Sequence, residues 1–140
     1  MKTFTDIEFA KSFHGHLGPN LVIGNKLGNR AIAALSPESC FQLTAEVHCP
    51  EGPPVSCVID GIQLSTGCTM GKKNIRHVVA EDGVKVVFTN TANGRPVTLC
   101  VEDGFIRRAS GWIGEFGEEE ASRMTWDAPD GEVFTECSTQ

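Results

Sequence analysis

The sequence predicts an α+β fold in which one β-sheet is covered by helices, and three patterns predict it. Apolar residues recur at helical spacing through residues 21–35, and they alternate with period two through residues 41–47. Several strand-like runs separated by turn residues then follow between residues 75 and 101. A chain of 140 residues fits one domain with a genuine core, and two domains would be cramped. The order helix, helix, strand, helix, strands, helix, strand belongs to the α+β class.

Each element has its own signal. Thr5 and Glu8 have capping-box spacing, which predicts a short helix over about residues 6–12. Leu21, Gly24, Leu27, Gly28, Ala31, Ile32 and Leu35 mark a longer second helix, ended by Ser36-Pro37. Gly24 and Gly28 weaken helix propensity, so their use is close approach to another element. Phe41, Leu43, Ala45 and Val47 share one face of a strand, with Gln42, Thr44 and Glu46 on the other. After a proline-rich loop at 48–54, a helix over about residues 55–64 places Cys57, Asp60 and Gln63 on roughly one face. Strands follow at 75–80, 84–89 and 96–101. The acids 118–120 suit the start of a helix running to about Trp126, and a short strand near Val133-Phe134 ends the pattern.

Charge and cysteine content narrow the function classes. The net charge is −6, and residues 111–140 hold eight acids against Arg123 alone. Without a dense basic stripe, nucleic acid is not an expected partner. No run approaches the roughly 18 apolar residues that span a bilayer, so no membrane partner is expected either. The first eight residues lack the apolar core of a signal peptide, and the expected compartment is the cytoplasm, where thiols stay reduced. The six cysteines have irregular spacing and no CxxC pair, so disulfides are not expected. Cys40, Cys49, Cys100 and Cys137 are read as packing or surface residues, and His77 receives no role.

Two loops carry the chemistry. Phe13-His14-Gly15-His16-Leu17-Gly18-Pro19-Asn20 holds two of the four histidines in a backbone shaped by glycine and proline. In an extended segment His14 and His16 point the same way and present two nitrogen donors to a metal. The plainer alternative, one imidazole satisfied and the other solvated, stays open. Cys68 lies between Gly67 and Thr69, a setting that suits an exposed, hydrogen-bonded thiolate. Cys57 could meet the same site, or could simply pack as a small hydrophobe. Gly67 to Lys73 lacks the spacing and hydroxyl of a nucleotide-hydrolysing phosphate loop, although its amides with Lys72 and Lys73 could hold an anionic substrate. No GxSxG elbow is present.

Together these segments resemble the FmdE family of formylmethanofuran dehydrogenase subunits. The likeness rests on Phe13-His14-Gly15-His16, Gly18-Pro19, Gly24, Cys57, Asp60-Gly61-Ile62-Gln63 and Thr66-Gly67-Cys68-Thr69-Met70-Gly71-Lys72-Lys73-Asn74. Gly83 to Phe88 and Ala128 to Phe134 extend it. The resemblance implies a mixed sheet flanked by helices, somewhat thioredoxin-like. It also implies a metal site, with His14, His16, Cys57 and Cys68 as ligands and zinc as the expected metal. An accessory or stand-alone role in anaerobic redox or one-carbon metabolism follows, with a homodimer or a larger redox enzyme as partner. A small metal-dependent enzyme is the second reading, with Cys68 at the reacting centre, Asp60 as base and Lys72 steadying an oxyanion. A non-catalytic interaction module is the third. Some members carry a C-terminal finger of four cysteines; it is not expected here, because Cys137 is alone in the tail. The family's usual loop has cysteine before the proline, and Gly18 stands there in this chain. Dithiol chemistry between this loop and Cys68 is therefore ruled out.

Overall fold

The computed structural model describes residues 1–138. Helix α1 (Ile7–His14) is followed after four residues by α2 (Pro19–Leu35). Strand β1 (Leu43–Cys49) leads through a 3₁₀ turn at Val55–Cys57 into α3 (Val58–Thr66). Then come β2 (Ile75–Val79), β3 (Lys85–Asn90) and β4 (Arg95–Val101). Helices α4 (Asp103–Phe116), α5 (Glu118–Asp127) and the four-residue α6 (Asp130–Val133) precede β5 (Phe134–Cys137). The sheet order is β2-β1-β3-β4-β5, with β1 and β2 parallel and every other pair antiparallel. The expected mixed sheet with helices is the observed architecture.

The period-two pattern of β1 decides which face is covered. Leu43, Ala45, Val47 and Cys49 are buried and continue into Val86, Phe88, Val97 and Leu99 on the neighbouring strands. Ile23, Leu27, Ala31 and Ile32 of α2, Val58 and Ile62 of α3, and Phe105 and Ala109 of α4 pack on that face. Burying side chains of this kind stabilises the fold by roughly 1.5–3 kcal/mol each. On the opposite face Thr44, Glu46, His48, Val87 and Thr89 are half-buried. The core therefore lies between the sheet and helices α2, α3 and α4.

The glycines of α2 serve the close approach expected of them. A Cβ on Gly24 would stand 2.1 Å from the Val58 carbonyl oxygen, and one on Gly28 would stand 1.9 Å from the Ser65 hydroxyl. Gly61 is the matching position on α3, where a Cβ would stand 2.1 Å from the Leu21 carbonyl oxygen. The two helices thus cross almost backbone to backbone. Asn25, fully buried at the crossing, donates to the Gly61 carbonyl at 3.0 Å.

Four expectations need correction. Phe41 is not an inward residue of β1: it lies exposed in a 3₁₀ turn over Cys40–Gln42. The cap of α1 is Asp6, which accepts from the Phe9 amide at 3.0 Å, and not Thr5; the helix runs on to His14 and ends at Gly15 in the left-handed region (φ 99°). Helix α4 has no counterpart in the sequence reading, because Gly104, Gly111 and Gly114 obscure its short apolar stripe. Finally, Cys100 and Cys137 form a disulfide. Cys100 pairs with Thr135 and Cys137 with Thr98, so the two cysteines are diagonal neighbours on one face of β4 and β5. Sequence spacing carries no trace of that strand pairing.

Candidate metal pocket

Five elements meet at a small pocket of about 60 Å³ whose lining includes His14, His16, Asn20, Cys57, Ile113 and Glu118. His14 closes the last turn of α1, and Gly15 turns the chain so that His16 follows it back. Pro19 then opens α2 at its first position, where its missing N–H costs nothing. The two imidazole centroids are 4.7 Å apart. Cys57 is the N-cap residue of α3, and Glu118 is the first residue of α5.

Both histidines are held through Nδ1 by a carboxylate. His14 Nδ1 lies 2.6 Å from Asp60 Oδ2 in the first turn of α3, and His16 Nδ1 is bonded to Glu118 Oε1. An ionised carboxylate only accepts, so Nδ1 carries the donated proton, and in a neutral ring the lone pair lies on Nε2. The His14 side chain is only 10% exposed, and its Nε2 is buried without a hydrogen-bond partner. Asn20 Oδ1, on the same pocket, is also buried and unpartnered. A buried polar atom without a partner costs roughly 1–3 kcal/mol, and such atoms are rare in folded proteins. Burial pushes the Cys57 thiol up, and the carboxylates of Asp60 and Glu118 push it further. A cation beside the sulfur would reverse both effects.

The expected ligand set therefore divides. His14, His16 and Cys57 line one pocket, and Cys68 is elsewhere. Cys68 stands one residue past Gly67, which caps the far end of α3, so the nine residues of that helix hold the two cysteines roughly 13 Å or more apart. Nor is Cys68 an exposed thiolate. It is fully buried, its Sγ donates to the Leu43 carbonyl at 3.3 Å, and burial pushes its thiol up. Glycine and threonine flank it for a structural reason: Gly67 caps α3 in the left-handed region (φ 74°), and the Thr66 hydroxyl accepts from the Cys68 amide at 3.0 Å. Asn74 completes this staple, donating to the carbonyls of Cys40 and Leu43. Lys72 also lies there, with Nζ donating to the Gly67 carbonyl at 3.0 Å. Of the three residues expected to act chemically, Asp60 alone stands near the pocket, and it touches the lining through His14.

Glu118 and Asn20 have no role in the sequence reading. Glu118 looks like one of three acids at a helix start, and only the fold brings it to His16, 102 residues away. Gly18, which stands where the resemblance expects cysteine, lines the pocket in extended backbone (φ −141°). A Cβ there would meet His16 Cε1 at an ordinary 3.5 Å, so a side chain at this position would sit beside the imidazole.

Among the described residues, no three His, Cys, Asp or Glu side chains converge closely enough to hold a metal ion. The donor types nevertheless fit a borderline metal: two imidazoles and a thiol, with carboxylates behind both rings. Among the described residues, no helix is long and apolar enough to cross a membrane.

The chain is similar to known proteins in two comparisons. A curated protein of Archaeoglobus fulgidus, named probable S-adenosyl-L-methionine-binding protein, is 32% identical over 72 residues. The match covers 47% of this chain and 18% of that protein, so the chain spans less than a fifth of its relative's length. Residues 13–135 match the family model described as FmdE, molybdenum formylmethanofuran dehydrogenase operon. That match starts one residue before His14 and takes in the whole pocket, and the chain belongs to the FmdE family.

Proposed function

We propose that His14, His16 and Cys57 draw together around zinc and that the protein serves as an accessory or stand-alone protein in anaerobic redox or one-carbon metabolism related to formylmethanofuran dehydrogenase. The buried, unpartnered Nε2 of His14, whose ring is oriented by Asp60 through Nδ1, carries this reading. Asp60 and Glu118 orient the two rings and set the neutral tautomer with its proton on Nδ1, and Cys57 would lose its proton when the site fills. Zinc held there would supply a Lewis acid. A homodimer and a larger redox-enzyme partner belong to the same proposal and draw on the family likeness alone.

A small metal-dependent enzyme is the second reading, favoured by the way the pocket opens onto a larger groove at Pro19, Asn20, Pro54 and Ile113. Under this reading Asp60 acts as a positioning residue for His14, and Lys72 has no part.

The test is elemental analysis of protein purified without oxygen. Wild type and Cys68→Ser are expected to hold zinc equally. His14→Ala and Cys57→Ser should lose it, and Asp60→Asn should weaken affinity about 10- to 100-fold. Wild-type zinc content in both His14→Ala and Cys57→Ser would overturn the proposal.

A further inference from the structure

The groove beside the pocket has a chemistry of its own. It encloses about 320 Å³ between α4 and the chain around Pro54, with Val55, Ile106, Ala109 and Ile113 as its apolar walls. Arg107 and Ser110 are its polar residues on α4. No carboxylate pairs with Arg107 among the described residues, whereas the adjacent Arg108 faces Glu132 at 3.6 Å. An unpaired guanidinium at the edge of an apolar cleft, in a chain of net charge −6, suits an anion brought by a ligand.

The helix also sets a length. Ile113, shared with the histidine pocket, lies six residues beyond Arg107, roughly 9 Å along the axis of α4, a span matched by about seven carbons of extended chain. At that end Asn20 Oδ1 is buried and unpartnered, an acceptor waiting for an O–H or N–H donor. His14, nine-tenths buried with Nε2 unpartnered, stands just beyond it.

We infer that this groove binds a small carboxylate with an unbranched apolar chain, its anionic end on Arg107 and a polar far end delivered to Asn20 and His14. The ligand's carboxylate pairs with the guanidinium at the open end, and its chain lies along Val55, Ile106 and Ile113. The inference rests on the proposed metal pocket only for which end of the ligand would react. Binding in the groove requires no metal.

The probe is 8-hydroxyoctanoate, titrated into the metal-free full chain and followed by amide chemical shifts and calorimetry. Saturable binding is expected, with shifts concentrated at Asn20, Val55 and residues 106–113. Arg107→Gln should weaken the probe about fivefold, as for an exposed ion pair, and leave its neutral amide analogue unaffected. Ser110→Trp, which fills the groove from an exposed position, should abolish binding, and 4-hydroxybutanoate should bind far more weakly because it cannot span the distance. Absence of saturable binding, or equal loss of acid and amide in Arg107→Gln, would overturn the inference. Zinc content of the Arg107→Gln variant should equal that of wild type. A chain that binds the probe but no zinc therefore sinks the metal proposal alone, and the converse sinks the groove alone.

Discussion

Replacing Gly24 with alanine adds one methyl group where α2 and α3 touch through their backbones. The new Cβ would lie 2.1 Å from the Val58 carbonyl oxygen and 2.9 Å from Gly61 Cα, against an ordinary contact of 3.4 Å or more. Neither obstacle is a side chain, so no rotamer change relieves it, and the helices must part by about an ångström or more. A gap of that size forfeits roughly a quarter to a half of the dispersion contact across the crossing, and overpacking of this kind typically costs about 3 kcal/mol at its upper end. Alanine returns about 1 kcal/mol of helix propensity, which leaves a net loss of about 2 kcal/mol. Equilibrium unfolding in urea reads this as a lower midpoint with an unchanged slope. Gly111→Ala on α4 is the control, because nothing lies within 4 Å of its Cβ, and it should gain roughly 0.5–1 kcal/mol. A Gly24→Ala midpoint at or above wild type, with the control behaving as described, would refute the account of the crossing.

Two further outcomes concern cysteines outside the pocket. Burial pushes the Cys49 thiol up to about 11 from its ordinary 9.0. Because the folded value is the higher one, its contribution is fully present below pH 9 and fades as pH rises from about 9 to 11, by about 3 kcal/mol. Cys49→Ala should flatten the alkaline stability profile over that window, and an unchanged slope would show that the thiol is not what titrates. The Cys100–Cys137 disulfide closes a loop with a sequence separation of 37, worth about 3–4 kcal/mol on chain-entropy grounds. Unfolding with and without reductant measures this directly, and Cys137→Ser should match the reduced wild type. Equal stability in all three forms would mean that β5 is held by its strand pairing alone.

Much of the fold is legible in the sequence because its signals are local. The alternation through β1, the spacing along α2 and the Ser36-Pro37 stop each depend on residues a few positions apart. The use of Gly24 and Gly28 is legible for the same reason: a glycine inside a strong helical pattern costs stability unless something approaches closely. Helix α4 escapes, although Phe105, Ala109 and Trp112 at i, i+4 and i+7 are a usable signal beneath three glycines. The setting of Cys68 misleads. Flanking glycine and threonine suggest an exposed thiolate, and they in fact end a helix and seal the sulfur in the core.

By itself the sequence determined the fold class, the family and the pairing of His14 with His16, since each is written in short-range pattern and motif. Only the tertiary structure decided which partners those histidines meet. Asp60, Glu118 and Cys57 arrive from distant segments because α3 begins, and α5 starts, beside the end of α1. Cys68 is carried to the other end of α3, and Cys100 finds Cys137 across two strands. Spacing along a chain fixes what neighbours can do locally, whereas side chains dozens of residues apart meet only where packed elements bring their ends together.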